Sequence, residues 1–371
     1  MKTKMFFRFT VLMCLFTSSF LLAQSLFNSY NFKNTSLDYV TDVASIALGE
    51  SFVANSKNHF SFFENPAALS TDGGINTFYN FRSHGWSELA KDLKYFSFGA
   101  IINTSLGKLG FSYNYFTTGS LPISISEPDQ SFEDINRTII LAYSNHIMDD
   151  LTFGVSIKLF NRSLKSVGSV YQVSSSNTIL FDFGLLYQLK GFLNKDDAKD
   201  KLNLGLSLQN FGADYTEEYK YLFSETVNRW LPRYLRTGFA YELNLILGEK
   251  TRANVDLLFT GEYKNFLNPT ALEKPDVDYW GCGIEAMVFK IISLRIGGVK
   301  SPENSILFDK NKFQWRYGVG LQFPIAVLGL SYPVILKFDY ALIPINKTTL
   351  ENSRNSLNAF GVSLSYNKNL F

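Results

Sequence analysis

Few residues in this sequence combine the type and the spacing that catalysis or metal binding requires. The three histidines, His59, His84 and His146, lie far apart and lack a HExxH-type spacing. A serine hydrolase would need a histidine and an acidic or amide partner beside an accessible serine, and no serine motif adjoins these histidines. The only cysteines are Cys14 and Cys282, so no cysteine metal cluster can form. We therefore predict no enzyme activity, no metal site and no cofactor.

Two other stretches are suited to binding. Asn65 can bond to nearby backbone and Pro66 fixes φ, so these residues and Ala67 predict a defined turn that either contacts a ligand or only shapes its own segment. The stretch 214–230 is acidic and aromatic, and aromatic residues are favoured in the cores of interfaces. It is either a partner-binding loop or a loop that folds over the protein. The candidate partner-binding residues are Tyr215, Tyr219, Tyr221 and Trp230.

The first 23 residues have the layout of a secretory signal peptide. Lys2, Lys4 and Arg8 precede an apolar stretch at 9–22, and we predict cleavage after Ala23. The alternative is a membrane anchor, but a helix needs ~20 apolar residues to span a bilayer. Removing these three positive charges changes the formal net charge from +2 to −1, so nucleic acid is not an expected partner.

Composition and periodicity together indicate an all-β fold. The chain contains 35 Phe and 20 Tyr, yet its mean hydropathy is −0.01, so the apolar residues are dispersed among polar ones. Apolar and polar residues alternate with a period of two, for example at 151–159, 202–209 and 313–323. The alternation predicts fourteen strands, at 75–82, 95–104, 109–117, 137–145, 151–161, 177–189, 202–211, 234–247, 252–263, 279–290, 291–300, 313–323, 333–343 and 357–366.

The links between these strands favour a membrane barrel over a soluble sandwich. Short and long links alternate along the chain, as they do in barrels with short periplasmic turns and long external loops. Alternation alone fits both folds, because either fold has one apolar face. The signal sequence and strand lengths near the ~9–11 residues that cross a bilayer decide for the barrel. We predict an antiparallel transmembrane β-barrel of about 14 strands in the outer membrane of a Gram-negative bacterium, in contact with its lipid.

The barrel prediction assigns faces to particular residues. Charged residues on the strands are expected to face the lumen, because a basic side chain at mid-membrane on the lipid face costs ~2–4 kcal/mol. Cys282 is in register with apolar neighbours and is expected to face lipid. The charged residues expected in the lumen are Arg252, Asp256, Arg295 and Arg316.

Residues 24–74 do not alternate and precede the first strand. Asp42 is a suitable N-cap and Gly49 a suitable end for a short helix from Val43 to Leu48. The segment either folds back into the lumen as a plug, or hatch, or forms a periplasmic tail. The chain is thus divided into a signal peptide at 1–23, a hatch segment at 24–74 and a barrel at 75–371.

The hatch segment resembles a known family. Ala47-Leu48-Gly49, a following Val53-Ala54, and then Asn65-Pro66-Ala67 resemble the opening of FadL-like barrels, more closely of their PorV/PorQ branch in Bacteroidetes and relatives. Glu50 and Ser51 stand where that family commonly continues with small, glycine-rich residues.

The resemblance implies two functions of different classes. PorV-like proteins serve the type IX secretion system, so the expected partners are secretion-system subunits and exported proteins. FadL-like proteins are channels for hydrophobic small molecules, with the hatch gating the path. Our first expectation is the secretion role, with the channel as the alternative.

Overall fold

A computed structural model describes most of the chain from residue 36 onward. The described residues are 36–38, 40, 42–58, 60–69, 74–83, 93–124, 127–167, 172–195, 198–220, 224–229, 231–247, 253–267, 279–300, 313–329, 332–344 and 356–366. The signal peptide and its cleavage site lie outside them, as do His59, His84 and Arg252.

Fourteen long strands form a closed antiparallel barrel, as predicted. Each pairs with the next along the chain, and the last closes on the first through pairs such as Ile75 with Tyr366. Closure leaves no open edge, so the backbone groups of each barrel strand find partners on both sides. The barrel strands are β1 (Ile75–Ser83), β2 (Lys94–Thr104), β3 (Gly107–Thr117), β5 (Glu127–Met148), β6 (Leu151–Val167), β8 (Thr178–Lys195), β9 (Ala198–Gly212), β12 (Tyr234–Leu247), β13 (Ala253–Phe266), β14 (Tyr279–Val288), β15 (Ile292–Lys300), β16 (Phe313–Pro324), β17 (Val334–Pro344) and β18 (Ser356–Tyr366).

Four short strands extend the sheet at the end that carries the long links. They are β4 (Leu121–Ser124), β7 (Gln172–Ser175), β10 (Tyr215–Lys220) and β11 (Ser224–Arg229). β4 pairs with an extension of β5, and β10 pairs with both β7 and β11. The prediction of uniform strand lengths was therefore wrong: β5 has 22 residues and β15 has nine, because pairing between links lengthens the strands on one side.

The two faces of the barrel differ as predicted. On β16, Trp315, Tyr317 and Val319 point outward and are 42–53% exposed, whereas Arg316 points inward and is buried. Cys282 is exposed on the outer face, and Arg295 is buried inside. A closed cylinder with an apolar exterior and a polar interior is a transmembrane β-barrel of the outer-membrane type. In the described part of the chain, no helix is long and apolar enough to cross a membrane.

Residues 36–38, 40, 42–58 and 60–69 lie inside this cylinder, and we call them the plug. They contain one helix, α1 (Val43–Ala47), and three 3-10 turns at Ser36–Asp38, Ser61–Phe63 and Pro66–Ala68. All five residues of α1 are buried, and α1 packs against β15 to β18. The plug interpretation of the hatch segment is therefore correct for these residues, and the periplasmic-tail alternative is wrong.

Candidate functional site

The plug begins with the predicted helix cap. Asp42 has extended backbone, and its Oδ2 accepts a 2.6 Å hydrogen bond from the backbone N–H of Ser45. Asn58 donates its Nδ2 to the same carboxylate oxygen at 2.9 Å. The helix ends at Ala47 with Leu48 as its C-cap, and Gly49 follows with a φ of +69°, a conformation that glycine adopts without strain.

Glu50 and Ser51, the two residues that differ from the small, glycine-rich pattern, bond to the barrel. Glu50 forms a 3.0 Å ion pair with Arg316 of β16. The hydroxyls of Ser51 and Thr260, on β13, lie 2.6 Å apart. Glycine at either position would lack this contact. Glu50 and Ser51 therefore help to attach the plug to β16 and β13.

A buried charge cluster holds the middle of the plug. Arg236 of β12 forms an ion pair with Glu262 of β13 and lies 3.9 Å from Glu64 of the plug. The second carboxylate oxygen of Glu262 accepts the backbone N–H of Val53 at 2.9 Å, and Glu64 accepts the hydroxyl of Ser45 at 3.0 Å. Because all of these groups are buried, removing one charge would leave its partner without compensation.

The predicted turn at Asn65, Pro66 and Ala67 joins the plug to β8. The Oδ1 atom of Asn65 caps the 3-10 turn by accepting the N–H of Ala67 at 3.0 Å. Its Nδ2 atom donates to the carbonyl of Val53 in the plug at 2.7 Å and to the carbonyl of Leu185 on β8 at 3.0 Å. Both Nδ2 hydrogens and the Oδ1 atom of Asn65 therefore shape and fasten the plug, and its ligand role stays a prediction.

Inward-facing glycines let the plug backbone touch the wall. A Cβ atom added to Gly154 would lie 2.3 Å from the backbone N of Ala67, and one added to Gly205 would lie 2.2 Å from the carbonyl O of Val53. Such contacts are far inside the van der Waals separation, so larger residues would displace the plug. We call β6, β8, β9 and β12 to β16 the bonded wall. The glycines of the bonded wall whose added Cβ would come within 3 Å of the plug are Gly154, Gly184, Gly205, Gly238, Gly283, Gly297 and Gly318.

Another part of the contact surface is apolar, apart from β17 and β18, on which the helix packs. On β1, β2, β3 and β5, which we call the aromatic wall, Phe78, Ile101, Ile140 and Ala142 pack against plug residues. Those plug residues are Phe60, Phe62, Phe63 and Leu69.

The rings of the aromatic wall are in direct contact. Phe60 meets Phe78 edge to face with centroids 4.5 Å apart, and half-buried Phe63 stacks on Phe62 at 4.4 Å. Two polar contacts flank this cluster, from Arg82 to the carbonyl of Val40 at 3.5 Å and from Lys108 to that of Leu69 at 3.2 Å.

Polar side chains on the aromatic wall lack partners. Asn76, Asn80 and Ser97 are at least 98% buried, and their side-chain polar atoms have no hydrogen-bond partner in the described part of the chain. The hydroxyl of Thr138 on β5 is in the same state. An unpaired buried polar group costs roughly 1–3 kcal/mol. Among the described residues the bonded wall has such groups as well, for example Ser207 and Gln314, so unpaired polar atoms do not distinguish the two walls.

Burial changes the protonation of two plug carboxyls. Desolvation, assisted by the nearby Asp339, raises the pKa of Asp42 to about 7. Desolvation also raises the pKa of Glu64 well above its ordinary range, although Arg236 opposes the shift. Protonation of Asp42 and Glu64 therefore favours the folded, docked plug.

The other predicted binding residues lie at the long-link end. Tyr215 and Tyr219 are on β10, which pairs with β11. Tyr221 and Trp230 lie outside the described residues. The partner-binding role of this loop stays a prediction, since no contact with a partner tests it.

His146 lies at the short-link end of β5. It is exposed, and its Nδ1 is 3.0 Å from the hydroxyl of Thr152.

Comparisons with known proteins give only distant similarity. No protein-family model matches this sequence, and no curated protein sequence matches it. The Pseudomonas putida toluene transporter TodX aligns over 92% of this chain and 100% of its own, with 12% identity and a TM-score of 0.47. The CymD monoaromatic hydrocarbon channel covers 88% of this chain and 98% of its own at 8% identity, with a TM-score of 0.45.

A Pseudomonas aeruginosa FadL homologue gives similar figures. It covers 88% of this chain and 98% of its own at 11% identity, with a TM-score of 0.43. Identities and TM-scores this low carry no argument about function. The fold assignment therefore rests on the strand pairing of this chain itself.

Sequence reasoning missed most of the site. It placed Gly154, Gly205 and Gly318 at the non-apolar positions of the alternation without assigning them a role. Glycine at an inward position leaves space for another backbone, so the signal was present. No local pattern indicated the contact between Arg236 and Glu64. The two residues are 172 positions apart, so their contact depends on how the plug docks in the barrel.

Proposed function

We propose that the protein is an outer-membrane channel for small hydrophobic molecules, in which the plug parts from the aromatic wall to admit them. The observation that carries the proposal is the contrast between the two walls. The bonded wall holds the plug by charges, hydrogen bonds and backbone contact, whereas the aromatic wall holds it mainly by apolar contacts. An apolar molecule that entered between Phe63 and Phe78 would replace these contacts by similar ones.

A second apolar cluster lies nearer the long-link end of the lumen, on strands of the bonded wall. Phe160 on β6, Leu180 on β8 and Leu231 before β12 form a buried cluster, against which Leu37 of the plug packs. Leu180 and Phe160 lie on strand segments toward the long-link end. Apolar side chains are therefore present in the lumen between the outer end and the plug.

A reversible disulfide between the plug and β18, the strand that pairs with β1 of the aromatic wall, tests the channel. A Cβ atom added at Gly361 of β18 would lie 3.5 Å from the Cβ of Val43, within the range of disulfide-bonded cysteines, if the amide of Asn80 moves aside. We expect cells that express the V43C/G361C/C282S variant to take up N-phenyl-1-naphthylamine only after treatment with a thiol reductant. The matched control, Cys282→Ser alone, should take up the dye under both conditions. Uptake by the wild type no greater than that of cells without the protein would disprove the channel.

The extracellular sheet favours a second candidate function, the binding of exported proteins at a type IX secretion system. β10 pairs with both β7 and β11, so the loop between β9 and β12 is built as a sheet. Tyr215 and Tyr219 of the predicted loop lie on it.

Loop replacement tests the second candidate. Replacing residues 214–230 by a short Gly-Ser linker should leave the barrel assembled, since both flanking strands pair independently of this loop. If the loop binds partners, affinity purification from outer membranes should recover secretion-system subunits or exported proteins with the wild type and fewer with the variant. Equal recovery would remove this candidate.

A further inference from the structure

Several short turns of the barrel expose large apolar side chains, among them Leu106, Ile147 and Met148. Two neighbouring turns carry a larger group of such residues. Phe289, between β14 and β15, is 60% exposed. Val327 and Tyr332, between β16 and β17, are 74% and 66% exposed. Ile291 is 42% exposed, and Lys290 beside it is also exposed. We call Phe289, Lys290, Ile291, Val327 and Tyr332 the turn patch.

The first turn of the patch adopts an unfavourable conformation. Phe289 and Lys290 have φ of +55° and +56°, the left-handed values of a type I′ turn. Such turns are dominated by Asn-Gly and similar pairs, and a bulky residue with positive φ is unusual. The chain therefore presents a phenylalanine where a small polar residue would form the same turn with less strain.

Neighbouring backbone fixes this turn next to the second one. The N–H of Phe289 donates to the carbonyl of Asn254 at 2.8 Å. Gln322, at the end of β16, donates its backbone N–H to Ile291 at 2.8 Å and its Nε2 to the carbonyl of Lys290 at 3.0 Å. The turn patch is thus one surface on two adjacent turns.

The position of the turn patch identifies its surroundings. The outward residues of β16 run from Phe313 to Phe323, a distance of ten residue-to-residue steps, which at ~3.3 Å each and a tilt of ~40° cover about 25 Å along the barrel axis. That height matches the ~25 Å apolar band of outer-membrane barrels. The turn patch continues directly from this band, so it lies at the depth of the lipid headgroups and not in the hydrocarbon.

We propose that the turn patch inserts into the headgroup region of the inner leaflet, with phospholipid as its partner. Tyrosine is enriched at this depth because its ring is apolar and its hydroxyl is polar. Lys290 is placed to bind a lipid phosphate while its stem stays in apolar surroundings. The short links, the start of β1 and the end of β18 all lie on this side, which in outer-membrane barrels is the periplasmic side. The patch fixes the depth of the barrel under β14 to β17.

Spin-label accessibility in nanodiscs of phosphatidylethanolamine and phosphatidylglycerol tests this proposal. A nitroxide is attached at V327C in a C282S background, because Cys282 is itself exposed. The matched control is K199C, an exposed position at the same end of β9. We expect the ratio of collisions with molecular oxygen to collisions with a water-soluble nickel complex to be higher at position 327 than at position 199. Y332C provides a second label site if V327C does not fold.

Each other outcome overturns the proposal. Nickel accessibility at 327 as high as at 199 would place the turn patch in water. Protection of 327 from both oxygen and nickel would indicate a protein contact, such as a second copy of the chain, in place of lipid.

Discussion

The two walls of the lumen hold the same plug by different physics. The bonded wall uses buried ion pairs, side-chain hydrogen bonds and glycines that admit backbone to backbone contact. The aromatic wall uses ring contacts and other apolar contacts. Directional polar contacts fix one geometry, whereas apolar contacts tolerate displacement. The difference suggests that the plug is anchored on one side and can open on the other.

Phe63 shows the contrast within one residue. Its carbonyl accepts a 2.7 Å hydrogen bond from Gln209 on β9, in the bonded wall. Its ring packs at 5.9 Å from that of Phe78 on β1, in the aromatic wall. The backbone of the plug is thus positioned from one side while its rings cover the other.

The largest effect is expected from breaking the charge cluster of the bonded wall. Arg236→Met leaves Glu262 buried with Val53 N–H as its remaining partner, and losing one member of a buried ion pair costs roughly 3–5 kcal/mol. Hydrogen exchange of the amides at 43–54 should accelerate accordingly. The double variant R236M/E262Q removes the uncompensated charge and should recover more than half of the loss. Equal exchange in the wild type and R236M would show that the bonded wall does not anchor the plug.

The next effect is expected from filling the space of a lumen glycine. Gly154→Val places carbon atoms against the backbone of Pro66 and Ala67, and overpacking typically costs roughly 1–3 kcal/mol. Because backbone cannot move aside as a side chain can, the plug should be displaced and the ion conductance in planar bilayers should rise. Gly261→Val is the matched control, since its added atoms meet only the ring of Phe239 on the outer face. Similar conductance of the two variants would contradict the role of the glycines.

The two walls also differ in how far the sequence predicts them. The barrel strands were predictable because alternation is local and each strand repeats it, as in 313–323. The helix cap at Asp42 was predictable for the same reason, since Asp42 and Ser45 are three residues apart. The pairing of Ser51 with Thr260 joins residues 209 positions apart. Such pairs depend on where the plug docks, which no local pattern encodes.

A pH effect of smaller size is expected on the plug. The pKa of Asp42 is about 7 in the folded protein and 3.8 ordinarily, so the folded state binds the proton more tightly. This contribution to stability is fully present below pH 4 and is lost as the pH rises through 7. Protection of the amides at 43–47, corrected for intrinsic exchange, should fall by roughly tenfold from pH 6 to pH 8, which corresponds to about 1.4 kcal/mol.

Asp42→Asn separates this titration from the helix cap. Asparagine caps a helix as well as aspartate does, so α1 should persist in the variant. Its amide cannot titrate, so the difference in protection between pH 6 and pH 8 should become smaller. The pKa of Glu64 is shifted in the same direction, so part of the pH dependence should remain in the variant. An unchanged pH dependence in D42N would assign the whole effect to groups other than Asp42.

The smallest effect on stability, and the sharpest test of the comparison, is expected from the aromatic wall. Phe63→Ala removes a half-buried ring that stacks on Phe62, and an aromatic pair is worth roughly 0.5–1.5 kcal/mol. The amides at 43–54 should keep their protection, because Gln209 binds the backbone of residue 63 and the bonded wall is untouched. Entry of N-phenyl-1-naphthylamine should nevertheless rise, since the ring closes the apolar side. Phe63→Leu, which keeps much of the volume, should lie between the wild type and Phe63→Ala. If F63A instead exposed these amides as strongly as R236M does, the plug would respond as one rigid unit, and the division into an anchored side and an opening side would be wrong.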